Sequence, residues 1–274
     1  MKKNLILLIL FLITLSPVFS ANDVLSEEYL KSKNHIALMN PLAEKMVEMA
    51  IKKAIKKDVP GKYKIKFEGY TLKSMKAGIF KYLEVTGKNV NVDGIEIPYY
   101  NVKTVSDYNW VDYNQNPIKF RSDIEADYTA NITENTINEA LKTEEYAKIL
   151  RKINKKAFPM FMLNEVKVKI KNEKLYIIMS YNFPISPREK DRTFMVSSNL
   201  KVVSNTVKMC NIAFDNIYGN LPSQKVANLI SYIDPLSFTI ALLKDKNCDV
   251  RIKSIKIDND TLIVNGKMYI KGDK

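Results

Sequence analysis

The sequence predicts an α+β protein in which a curved antiparallel sheet packs against long amphipathic helices. Apolar residues recur at steps of three and four over three separate segments, which is the period of a helix with one buried face. Between these segments apolar and polar residues alternate, which is typical of strands with one face on a core. The connections are short and no Gly- or Ser-rich linker divides the chain, so one interlocked domain is expected.

The first 20 residues have the order of a secretory signal. Two lysines precede an apolar run over 5–15, and Val18 and Ser20 stand at the −3 and −1 positions of a cleavage site. The apolar run is shorter than the roughly 20 residues that a membrane-spanning helix needs. The sequence therefore predicts a signal peptide over 1–20, with an uncleaved anchor as the alternative.

The rest of the chain divides into a leader and a folded part. A polar leader is expected over 21–36 and a single α+β domain over 37–274. A hydrophobic content of 46% argues against disorder. Export places the mature protein in the periplasm or another extracytoplasmic part of the cell envelope.

The chain is basic, with a formal net charge of +13 from 43 basic and 30 acidic residues. A basic surface attracts anionic partners such as the headgroups of a phospholipid membrane. The alternative is a general bias toward Lys, Asn, Ile and Tyr, because the charge is spread along the sequence. We find no nucleic-acid-binding motif, so the predicted partner is an anionic membrane surface and not a nucleic acid.

The first two helical regions carry start signals. Segment 41–57 has Pro41 at its first position, where a helix tolerates the missing N–H group. Segment 134–158 divides into two helices, because Thr133 and Thr143 each precede acidic residues in the position of an N-cap.

A third helical pair is predicted over 223–243, broken at Asp234-Pro235. Strands fill the intervals between the helical regions. Asp93-Gly94 between two short apolar runs is a strong hairpin signal. The other predicted hairpin turns are Asn172-Glu173, Ser204-Asn205 and Asp258-Asn259-Asp260.

Residue types that serve catalysis are scarce. The one histidine, His35, lacks a nucleophile motif, and the phosphate-binding glycine motifs are missing. The sequence therefore predicts no enzyme, no cofactor and no metal site. Asp123, Glu125 and Asp127 alternate on a predicted strand and share one face. They leave two interpretations open, a solvated sheet face and a carboxylate-dependent hydrolase.

The two cysteines, Cys210 and Cys248, could form a disulfide in an oxidising compartment. Such a bridge would close a loop of about 39 residues and stabilise the fold by roughly 3–4 kcal/mol. Two buried free thiols are the alternative, because the geometry of a disulfide cannot be derived from spacing.

Several stretches carry a family resemblance. The block 67–90 (FEGYTLKSMKAGIFKYLEVTGKNV) leads into 92–98 (VDGIEIP), and later come 137–141 (INEAL) and 146–150 (YAKIL). In these stretches the chain resembles the LmeA-type family of bacterial cell-envelope phospholipid-binding proteins. The resemblance extends over about 37–270.

The resemblance implies an exported protein that binds phospholipid or another acyl-chain ligand in an apolar groove and carries or presents it without catalysis. It also implies a fold similar to tubular lipid-binding proteins, with a long helix in a curved sheet. Adaptable Met side chains on the first helix suit such a groove. The residues expected to contact lipid are Leu42, Met46, Met49, Ile55, Ile137, Leu141, Leu229 and Ile233. The residues expected to contact headgroups are Lys52, Lys53, Lys56 and Lys57.

A second function class is also compatible with the sequence. The apolar helix faces could simply cover the sheet, as amphipathic helices commonly do. The protein would then be an envelope interaction or assembly module with a packed core and no ligand. Stoichiometric lipid in the purified protein would distinguish the two classes.

The signal peptide gives the first testable prediction. When the full chain is expressed in a bacterial host, we expect cleavage after Ser20, because Val18 and Ser20 fit the cleavage-site pattern. Intact-mass measurement of the exported protein should therefore give the mass of residues 21–274. Recovery of the full-length mass from the membrane fraction would instead support the uncleaved anchor.

Overall fold

In a computed structural model, strands dominate the part of the chain that is described. The described residues are 26–32, 40–113, 115, 119–157, 162–184, 192–216, 230, 232–243 and 248–273. The predicted signal peptide and His35 lie outside them.

The predicted fold class is wrong about the helices. Among the described residues, strands take up 53% and helices 29%, so α+β describes the fold broadly, but the helices are short and not long and amphipathic. The physical reason is that a second sheet covers much of the apolar face that the helices were expected to cover. Within the described ranges, no helix is long and apolar enough to cross a membrane.

The helices are α1 (Glu27–Ser32), α2 (Asn40–Asp58), α3 (Leu72–Lys76), α4 (Glu134–Leu141), α5 (Glu144–Ala157) and α6 (Pro235–Leu243). The strands are β1 (Lys62–Glu68), β2 (Ile79–Phe80), β3 (Tyr82–Val92), β4 (Ile95–Thr104), β5 (Asn109–Asp112), β6 (Lys119–Phe120), β7 (Ile124–Thr133), β8 (Met162–Lys171), β9 (Lys174–Asn182), β10 (Arg192–Val203), β11 (Thr206–Asn216), β12 (Asp249–Asp258) and β13 (Thr261–Ile270).

Four hairpins turn through two residues that both have positive φ. This conformation is the type I′ turn, whose twist matches that of the flanking strands. Glycine adopts positive φ without strain, and Asn and Asp tolerate it better than most residues do. The turns are Asp93-Gly94, Asn172-Glu173, Ser204-Asn205 and Asn259-Asp260, so the four predicted hairpins are confirmed.

The larger sheet has one apolar and one polar face. Its six strands follow the order β1-β3-β4-β7-β13-β12, and all neighbours are antiparallel. On the apolar face Ile65, Val85 and Val102 stand side by side on β1, β3 and β4. On the polar face Lys103 stands beside Asp127. Because side chains alternate along a strand, the register places most of the apolar residues on one side.

The smaller sheet, in the order β11-β10-β9-β8, packs its apolar face against the β12 side of the larger one. The two sheets also meet through the backbone, because the Ile252 N–H group of β12 donates to the Asn205 carbonyl in the β10–β11 turn at 3.1 Å. Core one lies between the larger sheet, α2 and the strands β2, β5 and β6. Core two lies between the two sheets, α4, α5 and α6.

Side chains of α4 and α5 occupy the free edge of β8. The Asn138 amide accepts from the Val168 N–H group at 2.8 Å and donates to the Val168 carbonyl at 2.9 Å. The Asn154 amide makes the same pair of bonds with Leu163, at 2.8 and 2.9 Å. Each asparagine therefore takes the place that a peptide group of another strand would have.

The start of α4 confirms the predicted N-cap. The Thr133 hydroxyl accepts from the Thr136 N–H group, and the Thr136 hydroxyl accepts from the Thr133 N–H group. The Thr136 hydroxyl also donates a hydrogen bond to the Glu96 carbonyl of β4 at 2.7 Å. The cap thus joins the helix to the larger sheet, which fixes where Asn138 reaches β8.

Helix α2 covers the edge of β1 in a similar way. The carboxylate of Glu48 accepts from the Phe67 N–H group at 3.3 Å, and that of Glu44 accepts from the Gly69 N–H group at 2.9 Å. At the other end of the helix, the Tyr63 hydroxyl donates to the Val59 carbonyl at 3.0 Å. The helix is therefore held at both ends.

Neither cysteine is in a disulfide, so the bridge considered from the sequence is not formed in this structure. Cys248 is buried in core one, whereas Cys210 lies on β11, where its thiol contacts the Asn199 carbonyl at 3.5 Å. Cys210 belongs to the smaller sheet, whereas Cys248 directly precedes β12 of the larger one, and sequence spacing carries no information about that separation.

Replacing Asn138 tests how much the β8 edge contributes to stability. In Asn138→Ala we expect a loss of about 2–3 kcal/mol in the free energy of unfolding, because the buried Val168 loses partners for both backbone groups. Urea denaturation of the mature protein measures the loss. Asn135→Ala is the matched control on the exposed side of the same helix, with an expected change within about 0.5 kcal/mol. Equal losses in both variants would contradict the proposed role of Asn138.

A second prediction concerns alkaline pH. Burial raises the pKa of Tyr63 to about 12, above the unfolded value of 10. The unfolded chain therefore loses this proton first, so stability is retained below pH 10 and falls between pH 10 and 12. We expect Tyr63→Phe to lower stability by about 1 kcal/mol at neutral pH. The variant should also lessen the alkaline decline, to which Tyr100 and Tyr128 contribute as well because burial raises their pKa values. Urea midpoints measured across this range provide the test, and an unchanged decline in the variant would contradict it.

Candidate functional site

The outer face of α2 carries an apolar stripe. Leu42, Met46 and Met49 are 72%, 65% and 64% exposed. Their spacing of four and three residues places them on one side of the helix, opposite the buried Ile51. They do not line a groove between helix and sheet, which is where the sequence analysis expected them.

Lysines continue this stripe toward the end of the helix. Lys53 and Lys56 fall on the same side as Met49 at further steps of four and three, and Lys52 and Lys57 flank them. All four lysines are exposed. Their position also suits the negative end of the helix dipole, so they stabilise the helix as well as adding charge.

The opposite side of α2 anchors the helix to the larger sheet. Ile51, Ile55 and Val59 are buried in core one. Tyr63 packs edge-on against Tyr100 below them, with the ring centroids 6.4 Å apart. Because the buried side holds the helix by itself, folding does not require Leu42, Met46 and Met49 to be apolar.

The other residues expected to contact lipid do not join the stripe. Ile55 is buried in core one, while Ile137, Leu141 and Ile233 are buried in core two. Leu229 lies outside the described residues. The structure thus brings Leu42, Met46 and Met49 together with the four lysines, and it separates them from the remaining apolar residues.

The apolar face of the larger sheet encloses little space. One cavity there has a volume of about 10 Å³, far below the size of a lipid chain. Its lining is apolar except for Thr104, whose hydroxyl accepts from the Leu83 N–H group at 3.0 Å. The remaining lining residues are Val85, Val102, Ile124, Ala126, Met268 and Ile270.

The three carboxylates of the predicted hydrolase face are engaged with neighbours. Asp123 accepts from the Gly272 N–H group at 2.8 Å, and Asp127 lies 4.0 Å from the Lys103 ammonium. Glu125 forms an ion pair with Lys267, and this hydrogen bond raises the pKa of the lysine. The described part of the chain contains no group of three or more His, Cys, Asp and Glu that could hold a metal ion.

The exposure of the stripe was missed by the sequence analysis, although a signal was present. Apolar residues of α2 fall into two sets nearly half a turn apart: one holds Leu42, Met46 and Met49, and the other holds Ile51 and Ile55. A helix with a single buried side needs only one of these sets. The two sets were interpreted as one broad face.

Comparisons with protein-family models, curated proteins and solved structures found no match for this chain. The resemblance to the LmeA-type family therefore stays a prediction.

Proposed function

We propose that this protein is exported and binds anionic phospholipid surfaces from the extracytoplasmic side, with the outer face of α2 as its lipid contact. One observation carries the proposal: the exposed apolar stripe of Leu42, Met46 and Met49 continues directly into a group of exposed lysines. Helices that lie in a membrane interface combine these two features.

Apolar burial supplies one part of the binding free energy. A fully buried Leu or Met side chain contributes about 1.5–3 kcal/mol. The three side chains are about two-thirds exposed, so their insertion contributes on the order of 3–6 kcal/mol. A contribution of this size supports reversible attachment of the protein to a membrane.

Charge supplies the second part and gives preference for anionic lipid. A lysine close to an anionic surface contributes about 1 kcal/mol, and the attraction falls off within a Debye length. Lys52, Lys53, Lys56 and Lys57 lie within the last two turns of the helix. Binding should therefore weaken as the salt concentration rises, while the apolar contribution remains.

The proposal differs from the sequence-based expectation in where the lipid lies. A surface contact needs no large internal cavity, and the apolar cavity on the larger sheet is about 10 Å³. The headgroup-contacting lysines keep their proposed role. Ile55 is excluded as a lipid contact in this arrangement because it is fully buried under the helix.

A second candidate function is an envelope interaction module without a lipid ligand. The filled cores favour it, because each apolar sheet face is covered by elements of the chain itself. In that case the stripe on α2 would bind a protein partner, and vesicles would not retain the protein.

Sedimentation with vesicles tests the apolar stripe. We expect the mature protein to bind vesicles that contain phosphatidylglycerol. Replacement of Leu42, Met46 and Met49 by Ser should weaken this binding at least about tenfold, which corresponds to about 1.4 kcal/mol. Leu72→Ser is the matched control, since Leu72 is also exposed but lies on α3. Wild-type binding by the triple variant would contradict the proposal.

A companion set of variants tests the lysines. Replacement of Lys52, Lys53, Lys56 and Lys57 by Gln should abolish the preference for phosphatidylglycerol over phosphatidylcholine vesicles. The control replaces the same number of exposed lysines elsewhere, namely Lys169, Lys171, Lys174 and Lys201. Equal loss in both sets would show that net charge and not α2 determines binding. Native mass spectrometry would reveal any stoichiometric lipid, which would favour an internal site instead.

A further inference from the structure

The outer edge of β12 presents backbone groups that have no backbone partner among the described residues. The β12–β13 hairpin turns through two residues, Asn259 and Asp260, so the flanking pair Asp258–Thr261 is hydrogen-bonded. Alternation along the ladder then directs the N–H and C=O groups of Ile257 and Ile255 away from β13.

The chain itself uses another position of this edge. Beyond Ile255 the register shifts by one residue between Ile252 and Ser254, which is a β-bulge. The Ile252 N–H group also points outward, and the Asn205 carbonyl accepts from it at 3.1 Å. The Asn205 carbonyl thus makes one of the hydrogen bonds that a seventh strand would make with this edge. No further backbone bond to this edge is found among the described residues at Ile255 or Ile257.

A groove runs along the open part of the edge. Its volume is about 210 Å³. Leu200 of β10 stands across from Ile255 and Ile257, and all three side chains are half-buried. The remaining lining residues are Glu173, Asn199 and Lys256.

The contrast with two other outer strands makes this groove distinctive. Glu44 and Glu48 occupy the edge of β1, and Asn138 and Asn154 occupy the edge of β8. A free strand edge is a ready template for another chain, and proteins commonly cover it for that reason. At β12 the corresponding groups lie beside a groove whose lining is half apolar and half polar.

We propose that the groove beside β12 binds an extended peptide segment of a partner protein, which adds a strand to the larger sheet. Such strand addition obtains affinity from main-chain hydrogen bonds and specificity from pockets for alternate side chains. Residues of the peptide that face Leu200, Ile255 and Ile257 are apolar. This proposal does not depend on lipid binding by α2.

The shape of the groove selects a single extended chain. The β10–β11 turn contacts β12 at Ile252, and Glu173 of the β8–β9 turn lines the groove together with Ile255 and Ile257. The smaller sheet therefore lies next to this part of the edge, and we infer that it leaves access to a single extended chain and not to the sheet edge of a second copy. One strand, which is about 4.8 Å from its neighbour in a sheet, enters between the two sheets.

Charge indicates the chemistry of one end of the peptide. The Lys256 ammonium lies 3.9 Å from the Asp258 carboxylate, so its charge is compensated. Glu173 forms no ion pair within the part of the chain that the structure describes. A basic residue of the peptide beside Glu173 would complement its carboxylate.

Amide hydrogen exchange on the mature protein tests the free edge directly. We expect the Ile255 and Ile257 amides to exchange rapidly, whereas the Lys256 amide, which is bonded to β13, exchanges slowly. Slow exchange at Ile255 and Ile257 in the isolated protein would overturn the proposal. Slow exchange that appears only with rising protein concentration would assign the edge to a second copy and would also overturn it.

Peptide binding is measured with a fluorescent probe of the sequence Lys-Val-Thr-Val-Thr-Val-Lys. We expect saturable binding and protection of the Ile255 and Ile257 amides. Two peptides are N-methylated at alternate peptide bonds, each in one of the two possible registers, so their side chains are identical. The peptide whose methyl groups replace the N–H donors to the β12 edge should bind at least about tenfold more weakly than the other. No binding at about 1 mM peptide, or equal binding by every methylated peptide, would overturn the proposal.

Protein variants locate the bound peptide. Ile257→Pro removes the outward N–H group, a change that edge strands tolerate, and should weaken binding at least about tenfold. Leu200→Thr changes the facing wall without altering β12 and should also weaken binding severalfold. Ile263→Thr is the control, because Ile263 lies on the polar face of the neighbouring strand. Unchanged affinity in both groove variants would overturn the proposal.

Discussion

The larger sheet buries only one of its two faces, and the rest of the structure follows from that constraint. Six strands place their apolar residues on the same side, and no short helix can cover so wide a surface alone. Helix α2 covers the β1 side, and the smaller sheet with α4 to α6 covers the β12 side. The chain therefore forms two adjoining cores, which share the half-buried Tyr128 on the central strand β7.

Helices in this protein cover strand edges as well as sheet faces. Carboxylates of α2 accept from β1, and amides of α4 and α5 take the place of a strand beside β8. A carboxylate only accepts hydrogen bonds, so it serves the N–H groups of an edge, whereas an asparagine amide both donates and accepts. Both arrangements also discourage pairing with other chains at those edges. Specificity of assembly is thus built into the same contacts that support folding.

Local features of the fold could be predicted from the sequence, and long-range features could not. The I′ turns, the limits of α2 and the cap at Thr133 depend on residues within a few positions of one another. The division into two sheets depends on which hairpins pair with each other. The alternation of apolar and polar residues is the same whether the hairpins form one sheet or two, so it does not predict the division. The contact between Asn138 and Val168 spans 30 positions, so no local pattern indicates it. For the same reason the four lysines could be assigned to a surface. The sequence did not show, however, that Ile55 is buried while Met46 is exposed.

The stripe on α2 and the edge of β12 share a physical argument. The stripe exposes apolar side chains that the core does not require, and the edge exposes backbone groups that no other strand covers. Both kinds of surface are unfavourable in water. Polar residues at positions 42, 46 and 49 would satisfy α2 equally well, because Ile51 and Ile55 already hold the helix. A carboxylate or amide beside Ile255 would cover the β12 edge as effectively as it does at β1 and β8. Unused apolar surface and unpaired backbone groups promote aggregation, so their joint retention points to partners that cover them. Under the two proposals, a lipid surface would cover the first, since it accepts apolar side chains without directional bonds, and an extended peptide would cover the second, since only a backbone supplies donors and acceptors at the spacing of a strand.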